Sequence, residues 1–579
     1  MTIQRTPLYF GPEERSLFGW LHSPPGSRRD LAVVLCPPVG HEYINSHRTL
    51  RHLADRLAAA GIPALRFDYD GTGDSCGDDE DPDRLAAWRN SIDAAIRTVR
   101  ALTVCTRLGL VGVRLGAALA AEVATETEVD SLVLWAPVIR GRAFNRELKA
   151  LHLTGGNRVV AIPESGQLEP AGFVVTAETQ RDLAELVLEQ QRPKARRVLI
   201  VTRDDLPGES PLVEPWRAAG IEVEQRPRPG YAEMFAPPHN TVVPSAVVDE
   251  IVDWLAADAR EPSVAMPAIE VRTEQRSAGV RESFLAFEAA GCRVFGIVTE
   301  NTTAARDRPL ILLPNAGATH HAGPNRLYVQ LARSLATAGF PVVRFDLPGL
   351  GDSILPDPAA ENDSYLPAAT AVIGAAIDAM SASAQVVLMG LCSGAHASFH
   401  AALDLDGAPI AESVLINPLT FYYKPGMPLD SPASAYREWQ WYMRSVRRLD
   451  RWGKLLRGEA RLHAIARAIV FRLRDKFARQ AAAFASTFTT RAVPSREELD
   501  IDLRRIVRAG RKLTFVFSRF APGYDLLMDR AGPVVQRYRK RGTIRLWHID
   551  GATHTFEAKQ ARDQMIAILT EHLKERYSR

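Results

Sequence analysis

Two stretches of this chain recur at one fixed distance. "LRFDYDGTGDS" returns as "VRFDLPGLGDS", which sets Phe67 and Phe345 278 positions apart. "LGLVGVRLGAALAA" returns as "VVLMGLCSGAHASF", with Gly112 and Gly390 again 278 apart. "LFGWLHSP" near residue 20 is answered by "VFGIVTEN" near 297. Repeated matches at one offset of domain length mean a duplicated domain, not a solenoid. The 579-residue length fits, since it exceeds what a single hydrophobic core organises.

Each copy alternates short β-rich runs with helical patterns, the signature of parallel strands joined by crossover helices. In the second copy the strands read "RVFGIVTE", "LILLPN", "PVVRFDL", "QVVLMG", "SVLINP", "LTFVFS" and "IRLWHID". The helical run "RLYVQLARSLATAG" lies between two of them and ends at Gly339. The expected fold class is α/β: two tandem domains, each a mostly parallel sheet flanked by helices. They span 1–259 and 281–579, with a linker at 260–280.

"GLCSGA" and "GVRLGA" each follow a strand and open a helix. A strained strand-to-helix turn needs small residues two before and two after its apex. Gly390 and Gly394 stand there around Cys392; Ser393 would have Leu391 and Ala395, which makes it the poorer candidate. A thiol attacks as thiolate, which a neighbouring histidine can generate. A small buried cysteine after a core strand is the plainer alternative. In the first copy the apex is Arg114, whose guanidinium stays protonated and cannot attack a carbonyl. Arg114 is either structural or an anion ligand in the old pocket.

With these elbows and the "GTGDS" and "GLGDS" loops, the chain resembles the α/β-hydrolase superfamily, twice over. The tandem form is similar to bacterial proteins labelled exosortase-associated or serine-aminopeptidase-like hydrolases. The resemblance implies an acid after the nucleophile and a histidine last. Asp525, in the expected loop after "LTFVFS", and His554, in "GATHTF", fill those places, with Asp529 next in line as the acid. His554 would take the thiol proton and Asp525 would orient the ring. Dienelactone hydrolases set the precedent for a cysteine elbow. The oxyanion hole would use the N–H of Ser393 and that of Gly317, with Ala318 close behind. His320 and His321 either line the site or belong to a polar loop, and His396 is a packing residue. In the first copy Asp204, Asp205 and His239 echo an acid and base with nothing to activate, which makes this copy a degenerate pseudo-enzyme domain.

The expected function is ester or thioester hydrolysis through a Cys392 acyl-enzyme. The alternatives are an acyltransferase acting on a carrier-linked or sugar-lipid substrate, and a catalytically idle tandem scaffold. Five widely spaced cysteines show neither a disulfide framework nor metal-ligand spacing, so no cofactor or metal is expected. No apolar run is long enough for a transmembrane segment, and "MTIQRTPLYFGPEERSLFGW" lacks a signal-peptide core, so the expected location is cytoplasmic.

The net charge of +3 conceals an asymmetry: Arg437 to Arg479 holds 13 Lys or Arg against 4 Asp or Glu. This run lies in an insertion at about 422–511, where the superfamily carries a lid. A solvated cap is one reading. A landing surface for an anionic acyl carrier (phosphopantetheine, coenzyme A or a lipid-linked phosphate) or for peripheral membrane contact is the other. No nucleic-acid motif accompanies it. If the run receives an anionic carrier, neutralising Arg444, Arg447, Arg448 and Arg451 raises KM for a carrier-bound substrate, and added salt does the same. Steady-state kinetics on a small neutral ester then stay nearly unchanged; equal losses on both substrates would mark a merely structural cap.

Overall fold

A computed structural model describes residues 3–577 except 155–164, 207, 261–263, 304–307, 358–359, 381–384, 424–497 and 520. Most of the basic insertion therefore lies outside the described residues. Its end folds as the helix Leu499–Arg508. Among the described residues no helix is long and apolar enough to cross a membrane.

The first half holds β1 (Gln4–Phe10), β2 (Leu17–Ser23), β3 (Ser27–Arg28), β4 (Leu31–Cys36), β5 (Ala64–Phe67), β6 (Arg107–Val113), β7 (Val129–Trp135), β8 (Ala195–Arg203) and β9 (Glu222–Arg228). Eight of these form one sheet in the order β1-β2-β5-β4-β6-β7-β8-β9, antiparallel up to β5 and parallel beyond it. β3 pairs instead with β10 (Val264–Ala265).

The second half repeats the plan with β11 (Glu274–Ser277), β12 (Val280–Ala289), β13 (Cys292–Asn301), β14 (Leu310–Pro314), β15 (Val342–Phe345), β16 (Val386–Leu391), β17 (Ile410–Ile416), β18 (Lys512–Ser518) and β19 (Ile544–Ile549). Their order is β11-β12-β13-β15-β14-β16-β17-β18-β19, parallel from β15 to β19. All seven strands read from the second copy are present. The stretch expected as a linker contains β10 and β11, and Arg272 bridges to Tyr9.

The central parallel strands are apolar on both faces because helices cover both. In β4, Leu31, Val33 and Leu35 face helices His41–Ala59 and Ser245–Asp258, while Ala32, Val34 and Cys36 face the opposite core with Ile92 and Val99. β14 divides likewise, Ile311 and Leu313 against Leu310 and Leu312. A fifth apolar cluster joins the halves. Tyr9, Phe18 and Trp20 pack on Phe284, Phe295 and Ile297, with the Trp20 and Phe295 rings 4.6 Å apart.

Charges cross this junction reciprocally. Arg66 on β5 binds Asp352 of the second half, and Arg344 on β15, 278 positions later, binds Asp74 of the first at 2.5 Å. Arg344 also reaches Glu282 at 3.0 Å. His321 lies between carboxylates of both halves, Nδ1 on Asp346 and Nε2 on Asp74, each at 2.8 Å. Those two carboxylates outweigh burial and hold the His321 pKa well above the usual histidine range, so the ring is a cation. Arg326 closes the junction from the side, donating to the carbonyls of Gly71, Gly73, Ser75 and Gly77.

Buried ions survive only as matched sets, and removing one partner strands the other. Arg344→Met leaves Asp74 and Glu282 short of a counter-charge and should cost about 3–5 kcal/mol in urea unfolding. Arg276→Met, which breaks an exposed pair with Glu274, should cost under about 1 kcal/mol. Equal effects would show that the buried lattice is not what holds the halves.

Candidate active site

Both elbows form, and in nearly the same strained backbone. Cys392 has φ 59° and ψ −116°; Arg114 has φ 54° and ψ −119°. Side-chain-bearing residues rarely adopt this region, at a cost of about 1–3 kcal/mol. The turn is anchored by one equivalent bond in each half, Cys392 N–H to Ile416 O and Arg114 N–H to Trp135 O, both 3.0 Å. The flanking glycines are required by contact. A Cβ at Gly390 would lie 2.2 Å from the Gly394 carbonyl, and one at Gly394 would lie 2.5 Å from Asn315 O. Gly112 and Gly116 meet the same obstruction in the first half.

Cys392 therefore occupies the apex at the carboxyl end of β16, half-buried, while the other four cysteines are buried. Ser393 is the next residue, inside helix Ser393–Asp404, and its hydroxyl accepts the Gly317 N–H at 2.9 Å. Gly317, the expected second oxyanion donor, is thus present in the loop after β14 with its N–H directed at Ser393. Among the described residues nothing lies within 4 Å of where a side chain on Gly317 would start.

Burial pushes the Cys392 thiol up to about 11, opposed in part by the Ser393 N–H and the Tyr365 hydroxyl beside the sulfur. Tyr365 had no sequence signal. It is buried, stacks on Tyr423 with centroids 4.2 Å apart, and meets the His396 ring edge-on at 5.1 Å. His396 packs as expected, its pKa pushed down to about 3 by burial and by His400.

His554 is half-buried in the loop after β19, and its position follows from two asparagines. Asn417, at the end of β17, donates to His554 O at 2.8 Å while its Oδ1 accepts the Ser518 N–H at 2.8 Å. Asn325 donates to the carbonyls of Thr555 and Phe556, both at 3.2 Å. The histidine loop is thereby tied to the sheet edge that carries Cys392. Asp525 differs from expectation in its setting. It lies in the first turn of helix Pro522–Lys540, not in a loop, because Pro522 starts the helix almost directly after β18. That helix begins so close to the turn after β17 that a Cβ at Gly523 would meet Pro418 O at 1.7 Å. Asp529 is exposed farther along the same helix, and His548 lies exposed in β19 against Tyr524.

His320 and His321 do not line the thiol; both are buried at the junction of the halves. His321, Asp346 and Asp352 bring ligand atoms within 4.8 Å of one another. Both His321 nitrogens are already engaged by carboxylates and Asp352 by Arg66, so the group is an ion-pair lattice, not a metal cage.

In the first half Arg114 is neutralised where it stands. Its Nε donates to Glu42 at 2.7 Å and its Nη2 to Glu147, with the Phe144 and Tyr231 rings 5.7 and 5.8 Å away. Asp204, Asp205 and His239 are exposed, and Asp205 pairs with Arg203.

Residues 310–567 match the family model described as alpha/beta hydrolase family, and residues 31–198 match the one described as serine aminopeptidase, S33. No curated protein matches the chain. Among solved structures it is similar to Est1E from Butyrivibrio proteoclasticus with bound ferulic acid, at 17% identity and TM-score 0.34, covering 43% of this chain and 98% of that one. It is also similar to dienelactone hydrolase from Anabaena variabilis, at 12% identity and TM-score 0.29, covering 52% and 100%. A third is proline iminopeptidase from Mycobacterium smegmatis, at 13% identity and TM-score 0.31, covering 51% and 98%. The two family matches, one in each half, support the α/β-hydrolase superfamily for this chain.

Proposed function

We propose that the second half hydrolyses an ester or thioester through an acyl group carried on Cys392. The observation behind this reading is the strained elbow: a non-glycine residue held at φ 59° at the carboxyl edge of a parallel sheet, between glycines that nothing larger can replace. Strain of this kind recurs where a side chain must be presented to a substrate.

In this reading the Cys392 sulfur attacks the carbonyl carbon and its proton passes to His554. The carbonyl oxygen becomes an oxyanion that accepts the Ser393 and Gly317 N–H groups. Gly317 now donates to the Ser393 hydroxyl, so that hydroxyl turns aside as the oxyanion arrives. The C–O or C–S bond of the substrate breaks, the leaving group takes the proton from His554, and an acyl thioester remains on Cys392. Water, deprotonated by His554, releases the acid; a second alcohol or thiol in its place would make the reaction a transfer. Asp525 steadies the His554 ring. The first half is catalytically silent in this reading, since its apex is a guanidinium paired with two glutamates. The basic run between Arg437 and Arg479 is where an anionic acyl carrier docks.

Incubation with p-nitrophenyl acetate should add one acetyl group to the chain, seen by intact mass. Cys392→Ala should abolish both the adduct and turnover, whereas full activity in that variant would sink the proposal and turn attention to Ser393.

The resting thiol gives a second test. Iodoacetamide should reach Cys392 before the four buried cysteines. With the thiol raised to about 11, the alkylation rate should climb about tenfold per pH unit from pH 7 to about 10. A plateau near pH 7 would mean that the free protein already holds Cys392 as a thiolate.

A further inference from the structure

Beside the ion-pair lattice a small cavity opens between the halves. Arg48 and Arg51, from helix His41–Ala59, line one side; His320 and the turn Gly349 to Gly351 line the other. Four buried nitrogens on these residues share one character. Arg48 Nε, Arg51 Nε, Arg51 Nη1 and His320 Nε2 have no hydrogen-bond partner among the described residues. Arg51 is only 2% exposed and His320 4%, so solvent does not serve them.

Each of these atoms is a donor. The arginine nitrogens always are. His320 Nδ1 accepts the Ala322 N–H at 3.2 Å, which leaves the ring proton on Nε2. Asn45 and Asn362 also line the cavity, and their amide nitrogens donate outward, to Phe235 O at 3.1 Å and Pro238 O at 3.0 Å. The carboxylates nearby are occupied: Glu361 receives Arg51 Nη2 and His52, each at 2.9 Å, and Asp352 receives Arg66. Burial and the neighbouring Arg51 charge hold the Arg48 pKa below its usual value, so two like charges stand together here.

Water fits this lining poorly. It accepts two hydrogen bonds where four donors are unmet, and it brings no charge to set against the two guanidinium groups. A cation is repelled. An oxyanion brings only acceptors and negative charge, and it matches guanidinium geometry.

We propose that this cavity binds a small oxyanion, a carboxylate or phosphate group, held by Arg48, Arg51 and the His320 Nε2–H across the junction of the halves. Since both halves supply donors, the ion fastens one to the other, separately from any chemistry at Cys392.

The test is calorimetric titration of the full-length protein with sodium formate and, separately, inorganic phosphate, at ionic strength held constant with sodium chloride. Saturable binding is expected, weakened at least tenfold in Arg48→Gln and in Arg51→Met and unchanged in Arg276→Gln. Binding of formate alone identifies a carboxylate site and of phosphate alone a phosphoryl site; binding of both identifies a general small-oxyanion site. Thermal unfolding should rise and saturate with the same ion, because a ligand that binds only the folded state stabilises it. Arg51 also pairs with Glu361, so if Arg51→Met fails to fold, the half-buried Arg48→Gln decides the matter. Binding of neither ion, or binding undiminished in Arg48→Gln, overturns the proposal.

Discussion

The exchange of charge between Arg66 and Asp352, and between Arg344 and Asp74, is the interaction on which the rest of the molecule rests. It is made possible by the glycine-rich loops after β5 and β15. Each loop wraps around its own first aspartate: Asp68 accepts the Asp74 N–H at 2.9 Å, and Asp346 accepts the Asp352 N–H at 2.8 Å. The wrapping leaves no room for a side chain. A Cβ at Gly73 would lie 2.0 Å from Asp68 Oδ2, and one at Gly351 would lie 2.2 Å from Asp346 Oδ2. With the first aspartate engaged within its own half, the second projects outward to the other. Local loop chemistry thus sets the inter-domain contact.

Much of this was legible in the sequence, and the reason is local. Parallel strands covered on both faces must be apolar throughout, so "LAVVLC" and "LILLP" announce themselves. The elbows were readable because close backbone approach admits only glycine at Gly390, Gly394, Gly112 and Gly116. The aspartates at 74 and 352 were visible as parts of a motif, yet their partners were not, since Arg344 and Asp74 are 270 residues apart and nothing local ties them. His320 and His321 were read as candidates for the thiol's surroundings for the same reason. Tyr365 lies in an irregular stretch and reaches the thiol through packing alone. The helical setting of Asp525 was missed because the Pro522 start signal lies so close behind β18.

The two elbows show that the fold holds one turn geometry around two different apex side chains. Arg114 keeps the dihedral angles, the anchoring bond and the tight glycines of Cys392. Glu42 and Glu147 then make the guanidinium a satisfied interior group. The turn is a packing solution first, and what it presents depends on a single side chain. Tyr43 and His321 show a parallel divergence at matching positions. The phenol hydroxyl donates to Asp68 of its own half, while the imidazole has a second nitrogen and binds carboxylates of both halves.

A contact in which residue i of one body meets j of the other, and j of the first meets i of the second, is what a twofold rotation axis generates. The junction between these halves obeys that rule although the halves are no longer identical. It has the bond pattern of an isologous homodimer written on one chain. In a dimer of separate subunits every substitution appears twice, so a change at one elbow would appear at both. Joined end to end, the two copies are free to differ: one carries a guanidinium at its elbow and the other a thiol, while each still supplies the arginine and aspartate that its sister needs. The single chain is what permits the asymmetry.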